Sequence, residues 1–177
     1  MAEIVTRGRS CSVLRPARIR PMTDSRHLRQ SPRLRFFDYV GTHAYHLGTV
    51  TRERLPLLSQ SDAGEYCIDA LNAASKKYSF NRLAYCFMPD HVHLLVASER
   101  GESVERFMRH FKQLSGHAYK QATGQHLWQT SYYDHVLRHE EAIRPIAEYI
   151  WANPVRKGLV ASPFDWPYSG PREYLAG

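Results

Sequence analysis

With 177 residues, of which 43% are hydrophobic and 12% aromatic, the chain has room for one domain with a sizeable core, plus tails. The net charge of +7 belongs to one end: residues 1–35 hold nine arginines and two acidic residues, whereas residues 36–177 hold 15 basic and 15 acidic residues. No apolar run approaches the roughly 18 residues of a membrane span, and no apolar segment follows the N-terminal arginines as in a secretory signal.

The three cysteines restrict the class of protein further. Cys11, Cys67 and Cys86 are widely spaced and form no CxxC pair, which argues against a disulfide framework and against a zinc knuckle. We therefore expect a protein of a reducing compartment without a membrane partner, located in the cytoplasm and associated with the nucleoid.

Residues 1–35 form a basic arm that shows no hydrophobic period, and we expect it to be disordered. Such an arm beside a neutral domain can hold nucleic acid by counterion release, or it can remain a solvated tail. Met22 opens a third alternative, in which residues 1–21 are upstream sequence read as protein through a misassigned start.

Strands and helices alternate through residues 36–160, which we take as the folded domain, followed by a tail at 161–177. The hydrophobic patterns predict strands at 43–51, 83–88, 91–97 and 127–137, and helices at 62–78, 103–124 and 140–153. Asp62 and Glu65 resemble a capping box, and Ser103 is the expected cap of the second helix. Pro145 either kinks the last helix or sets its start near Arg144.

The apolar residues of the second helix and of the tail indicate where each packs. The buried stripe expected on the second helix comprises Val104, Phe107, Met108, Phe111, Leu114 and Ala118. Trp166-Pro167-Tyr168-Ser169 is expected to be an apolar anchor of the tail. Asn153-Pro154 is a stop signal for the third helix.

The order of elements, β-α-β-β-α-β-α, is typical of an α+β fold, the ferredoxin-like split βαβ antiparallel sheet, here with an additional C-terminal helix. Two helices cover one face of such a sheet and leave the other face for a site.

Two histidines in the third strand are the strongest candidates for that site. His91 and His93 lie in the run MPDHVHLLV (residues 88–96), at the spacing that places both side chains on one face, with Cα atoms roughly 6.6 Å apart. Neutral imidazoles at that distance can converge on one cation. We expect both to face outward from a middle strand; the alternative is a pair of half-buried histidines without a ligand.

Tyr149 and Asn153 stand one turn apart on the last helix. A tyrosine can act as a nucleophile if a cation polarises its target, and an amide oxygen suits Mg²⁺ or Mn²⁺. The alternative is structural: Tyr149 packs with Ile146 and Ile150, and Asn153 caps the helix.

Four segments, in this order and at these spacings, resemble the HUH single-tyrosine transposases, and in particular their REP-associated tyrosine transposase branch. The segments are MPDHVHLLV (88–96), LWQTSYYDHVLRHEEA (127–142), EYIWANPVRKGLV (148–160) and WPYSG (166–170). The resemblance covers residues 39–170, nearly all of the expected folded part, and Pro145 departs from the pattern.

The resemblance implies a role for each candidate. His91 and His93 would bind the metal, Mg²⁺ or Mn²⁺, Asn153 would be its third ligand, and Tyr149 would be the catalytic residue. Tyr132 and Tyr133 are the nearby competitors.

The implied reaction is cleavage of single-stranded DNA through a 5′-phosphotyrosine link and a free 3′-hydroxyl, followed by rejoining without a nucleotide cofactor. The implied partner is single-stranded DNA with hairpins from repetitive extragenic palindromes, bound by a monomer or a homodimer. Phosphate contacts are expected from Arg106, Arg109, Lys112, Arg138, Arg156 and Lys157, each of which is otherwise a solvated charge.

Other classes remain in competition with this interpretation. A split βαβ module can bind nucleic acid by aromatic stacking without catalysis, although stacking needs no paired histidines. A domesticated, catalytically silent protein that binds hairpin DNA or RNA is a second alternative. A histidine phosphoesterase is disfavoured, because Leu94 follows the histidine pair and no second motif of that kind is present.

Overall fold

A computed structural model describes residues 43–59, 62–98, 100–137 and 143–175. The basic arm at 1–35 and Arg138 lie outside these ranges. The strands are β1 (Ala44–Val50), β2 (Phe80–Met88), β3 (His91–Ser98), β4 (Tyr133–Leu137) and β5 (Ser169–Gly170). The helices are α1 (Ala63–Tyr78), α2 (Val104–Thr123), α3 (Ile143–Trp151), α4 (Asn153–Arg156) and α5 (Arg172–Leu175).

The five strands form one antiparallel sheet in the order β4-β1-β3-β2-β5. The first four strands have the arrangement of the split βαβ fold, with β1 and β3 in the middle. The predicted α+β class is therefore confirmed. Strand β5, which the sequence did not indicate, extends the sheet beside Tyr85 and Cys86 of β2.

Helices α1 and α2 pack on one face of the sheet over the larger hydrophobic core. The buried stripe of α2 agrees with the prediction at Val104, Phe107, Met108 and Phe111. Leu114 is a correction, since it is 37% exposed. The stripe continues instead through Ser115 and Tyr119, and the Trp128 indole donates to the Ser115 hydroxyl at 2.9 Å.

One predicted capping box and one predicted strand boundary were wrong for identifiable reasons. Asp62 precedes α1, but its φ of +67° is left-handed and its side chain makes no capping hydrogen bond, so there is no capping box. Strand β4 begins at Tyr133, not at residue 127, because Lys112 Nζ holds the carbonyls of Gln129, Thr130 and Ser131 in a loop.

Pro145 is the third residue of α3, within its first turn. The first N–H groups of a helix have no intrahelical acceptor, so a proline there removes no hydrogen bond. The alternative in which Pro145 marks a start near Arg144 therefore describes the helix, and α3 is unbroken up to Trp151.

Helix α3 covers the second face of the sheet, where a smaller hydrophobic cluster includes Leu95, Ala147 and Ile150. The tail holds this layer in place: the Trp166 indole donates to the Phe87 carbonyl at 3.0 Å, and the Trp151 indole donates to the Gly170 carbonyl at 2.9 Å. The expected apolar anchor in the tail is thus present.

The covering helix corrects the expected exposure of the histidines. Both lie on the predicted face, but His93 is only 1% exposed, and His91 is partly buried. Within the described ranges, none of the helices is both long enough and apolar enough to cross a membrane.

Candidate active site

A cavity of about 220 Å³ opens between the ends of the central strands and the junction of α3 with α4. It is lined by Val50, Arg54, Asp90, His91, His93, Tyr149, Asn153, Arg156 and Lys157. The structure thus brings the predicted histidines, tyrosine and asparagine together, although more than 50 residues separate the two pairs in the sequence.

His91 is held by the residue that precedes it. Its Nδ1 lies 2.6 Å from a carboxylate oxygen of Asp90, and this hydrogen bond lowers the pKa of Asp90 below its ordinary value. Because an ionised carboxylate only accepts, Nδ1 of His91 is the donor in this contact, and Nε2 is the ring nitrogen not engaged by Asp90. Arg54, 3.7 Å from the other carboxylate oxygen, balances the charge.

His93 lies deeper in the same site. Burial, and then the nearby His91, His46 and Arg156, lower its pKa well below the ordinary value, so the ring is neutral at pH 7. Its Nδ1 faces Nε2 of His46 on β1 at 3.4 Å. Burial, with a smaller contribution from His135, lowers the pKa of His46 to about 4, so this second ring is neutral as well.

Tyr149 stands against the histidines. Its ring meets that of His93 edge to face, with 6.1 Å between the centroids, and the Arg156 guanidinium lies 4.6 Å from the Tyr149 centroid. The ring is partly buried and packs against the smaller hydrophobic cluster while it lines the cavity. The alternative in which Tyr149 is a core residue therefore holds for one side of its ring, whereas the other side faces the cavity.

The side chain of Asn153 supplies hydrogen bonds to backbone carbonyls where the helix is interrupted between α3 and α4. Pro154 has no N–H, so the carbonyl of Ile150 lacks the donor that an unbroken helix would supply. The side-chain amide of Asn153 donates to this carbonyl at 3.2 Å and to the Tyr149 carbonyl at 2.9 Å. Since both contacts use the amide nitrogen, the amide oxygen is the atom left for a ligand.

The donor set fits a divalent cation that accepts nitrogen and oxygen. His91 and His93 each use Nδ1 in a hydrogen bond, so Nε2 is the ring nitrogen that each could offer to a cation. Among the described residues, no three His, Cys, Asp or Glu side chains form a metal cluster. Asn153, which lines the same cavity, offers an amide oxygen as a third protein ligand.

The competing tyrosines lie elsewhere. Tyr132 packs against the larger core and lines a groove beside α2. Tyr133 is on β4, where its ring lies 6.2 Å from that of His46, and it is not among the residues that line the cavity. Burial, and then Asp134, raise the pKa of Tyr133, which disfavours its phenolate.

The predicted phosphate contacts fall into two groups. Arg156 and Lys157 line the cavity, whereas Arg106, Arg109 and Lys112 lie on α2, across the sheet. Arg109 and Lys112 line a groove of about 620 Å³ with His117, Lys120, His126 and Trp128. Burial lowers the pKa of Lys112 to about 8, and its ammonium group is engaged by three carbonyls, so Arg109 is the more accessible charge.

Three residues of the site were missed by the sequence analysis. Asp90 could have been found, because it precedes His91 directly in the chain. His46 required the pairing of β1 with β3, which sequence spacing does not contain. Arg54 follows β1 in a short 3₁₀ turn with φ of +55°, and no sequence signal marks it.

Comparisons with known proteins identify the family and support the fold. The family model of IS200-like transposases matches residues 39–153. A Haemophilus influenzae protein named as a REP-associated tyrosine transposase is 26% identical over 113 residues, which cover 56% of this chain and 64% of that protein. The Escherichia coli REP-associated tyrosine transposase is 26% identical over 86 residues, covering 49% and 51%.

The matched regions span less than two thirds of each of these two relatives. A solved REP-associated tyrosine transposase, bound to a REP hairpin, superimposes with a TM-score of 0.66 at 23% identity, over 78% of this chain and 82% of that one. This likeness shows a shared fold, and the family model extends over the histidines, the tyrosine and Asn153. The resemblance drawn from the sequence motifs is confirmed: the chain belongs to the IS200-like transposase family.

Proposed function

We propose that this chain cleaves and rejoins single-stranded DNA beside a hairpin, with Tyr149 as the nucleophile and with His91, His93 and Asn153 holding Mg²⁺ or Mn²⁺. One observation carries the proposal: the Tyr149 ring lies against the His93 ring in a cavity that Asn153 and His91 also line. Family membership supports the same reaction class.

In the proposed reaction, the phenol oxygen of Tyr149 attacks a backbone phosphorus and gives up its proton. A bond forms between that oxygen and phosphorus, and the bond from phosphorus to the 3′-oxygen breaks. The leaving 3′-oxygen takes up a proton and becomes a hydroxyl, while the 5′ side remains linked to tyrosine. Because the phosphodiester is conserved, the reverse reaction rejoins DNA without a nucleotide cofactor.

A tyrosine phenol is a weak nucleophile at neutral pH, so its target needs activation. A bound divalent cation would supply it by polarising the phosphoryl oxygen and neutralising developing charge. His93 suits the ligand role because burial keeps its ring neutral, and Asp90 orients His91 for the same purpose.

Cationic side chains at the cavity suit a phosphate. Arg156 contacts the Tyr149 ring and, with Lys157, lines the opening, and Arg54 approaches from the end of β1. Arg156 therefore both restrains the nucleophile and places positive charge where the scissile phosphate would enter. Two of these three residues were among the predicted phosphate contacts.

A hairpin partner is supported by the solved relative, whose structure contains a REP hairpin. The groove beside α2 offers cationic side chains for a folded-back duplex, and the arm at 1–35 adds nine arginines. A monomer and a homodimer are both compatible with this proposal, which concerns one chain's site.

A covalent trapping assay tests the proposal. The full chain is incubated with Mn²⁺ and labelled single-stranded hairpins taken from the DNA that flanks its gene, and the products are separated in denaturing gels. We expect a labelled protein band that EDTA abolishes and a cleaved strand of equal yield. Hairpin binding with no adduct under any metal would overturn the catalytic proposal and indicate a silent hairpin-binding protein.

A further inference from the structure

His46 lies beside the deeper of the two candidate ligands, yet it does not line the cavity. It is 8% exposed, on β1, and its partner across the strands is Leu95. His93 is paired with Gly48, two residues further along β1 on the same face. Glycine contributes no side chain there, and the two imidazoles approach diagonally, with centroids 5.6 Å apart and Nε2 of His46 3.4 Å from Nδ1 of His93.

The two facing nitrogens lie within hydrogen-bond distance. A neutral imidazole carries a single N–H, so one of the pair donates and the other accepts. If His46 donated, the proton of His93 would reside on Nε2, and that nitrogen would have no lone pair for a cation. If His46 accepts, His93 is protonated on Nδ1 and Nε2 is free.

A hydrogen bond between two neutral imidazoles at these nitrogens has only these two arrangements. The neighbouring histidine shows the same arrangement with a different acceptor: Asp90 takes the Nδ1 proton of His91. Two ligands with protonated Nδ1 atoms would present two Nε2 lone pairs to one cavity.

We propose that His46 is a positioning residue, which accepts the Nδ1 proton of His93 and thereby fixes its orientation and its Nε2 lone pair for the cation. The inference rests on the proposed metal site, and it adds a residue outside the ligand set. The site then includes a residue of β1 in addition to the histidine motif of β3.

Matched variants at position 46 test it. His46→Gln keeps an acceptor of similar reach, whereas His46→Met has similar length and no comparable acceptor. His135→Phe is the control, since His135 is paired with His46 across the strands but is exposed on β4. Thermal unfolding of each variant verifies that the fold is retained.

The first measurement is the tautomer of His93 by nitrogen-15 NMR in metal-free protein. We expect a protonated Nδ1 in the wild type and in His46→Gln, and a shift towards protonated Nε2 in His46→Met. A wild-type His93 protonated on Nε2 would overturn the inference, and this result needs no variant to fold.

The second measurement is Mn²⁺ binding by titration calorimetry. His46→Met should weaken binding roughly 10- to 100-fold, and His46→Gln should stay much closer to the wild type. Equal affinity in His46→Met and the wild type would contradict the positioning role. Failure of the proposed function looks different, because the wild type itself would then bind no Mn²⁺ and form no adduct, whatever the tautomer of His93.

Discussion

The side-chain nitrogen of Asn153 donates to the backbone carbonyl of Tyr149 at 2.9 Å. A hydrogen bond therefore links the candidate ligand directly to the candidate nucleophile. The same nitrogen also serves the Ile150 carbonyl that Pro154 leaves without a donor. A substitution at Asn153 therefore changes the helix that carries Tyr149 as well as the ligand set.

Asn153→Ala should lower the free energy of unfolding by about 1–3 kcal/mol, because two carbonyls lose their donor, and it should also abolish cleavage. Asn153→Asp separates the two effects: it retains an oxygen ligand but has no N–H to donate. Urea unfolding should show both variants destabilised. Unchanged stability in both would mean that the amide does not support the helix end.

Tyr149→Phe keeps the ring, its contact with His93 and nearly the same volume, and removes only the hydroxyl. We expect hairpin affinity to stay within about twofold, while adduct and strand cleavage disappear together. Tyr132→Phe and Tyr133→Phe are the controls and should still cleave. An adduct that persists in Tyr149→Phe and maps to Tyr133 would move the nucleophile to β4.

His91→Ala and His93→Ala should both abolish metal-dependent cleavage, but they should differ in stability. His93 is fully buried, so its removal leaves a cavity and costs about 2–4 kcal/mol. The His91 side chain is 15% exposed at the cavity rim, and its loss should cost about 1 kcal/mol. Melting curves and Mn²⁺-dependent cleavage measured on the same preparations check this, and wild-type cleavage in either variant would refute its role as a ligand.

Substitutions at Lys112 and Arg109 should have different effects, the first on stability and the second on DNA affinity. Lys112→Met removes the donor of three loop carbonyls and should lower the free energy of unfolding at pH 7 by about 1–3 kcal/mol. Arg109→Ala, on the exposed side of the same groove, should leave stability unchanged and weaken hairpin binding with a smaller salt dependence. The reverse pattern would make Lys112 the phosphate contact.

Lys112 also gives a pH dependence of defined sign. Burial lowers its folded-state pKa from 10.5 to about 8, so between pH 8 and 10.5 the unfolded chain binds the additional proton. The stability of the wild type relative to Lys112→Met should therefore rise with pH across this window, by about 2 kcal/mol at most given partial exposure. If the wild type instead loses stability relative to Lys112→Met as the pH rises, the three carbonyls raise the pKa of Lys112 more than burial lowers it.

Deleting residues 1–21 should leave adduct formation intact, since no catalytic candidate lies there. The segment carries five arginines, and if they contact DNA, their removal should flatten the dependence of hairpin affinity on salt. An unchanged salt slope would favour translation from Met22. Loss of cleavage would contradict both interpretations of the arm.

The sequence predicted most of this architecture because its apolar periodicities are local. The amphipathic stripe of α2 and the alternation in β3 follow from side-chain spacing, and the split βαβ order follows from the sequence of elements. The short strand Ser169–Gly170 has too few residues to show a period. The predicted extension of β4 had a suitable composition, but three of its carbonyls accept from the ammonium group of Lys112 on another element.

The site was predictable where its chemistry is carried by one element at a time. His91 and His93 share a strand face, and Tyr149 and Asn153 lie four residues apart across the junction of α3 with α4, so spacing identifies each pair. The burial of His93 was not predictable, because it depends on where α3 crosses the sheet. The contact of His46 with His93 depends on strand pairing, which no local pattern encodes.

The position of β1 between β3 and β4 has a consequence for synthesis of the chain. As the protein leaves the ribosome, its first strand can pair with β3 early, but it must wait for residues 133–137 before its other edge is covered. Until α3 follows, Leu95 and the neighbouring apolar residues of the second face stay open to water, and a stalled product would be prone to aggregate. Tyr149 reaches the histidines only in the last of these steps, so the proposed site is not yet assembled in an incomplete chain on the ribosome.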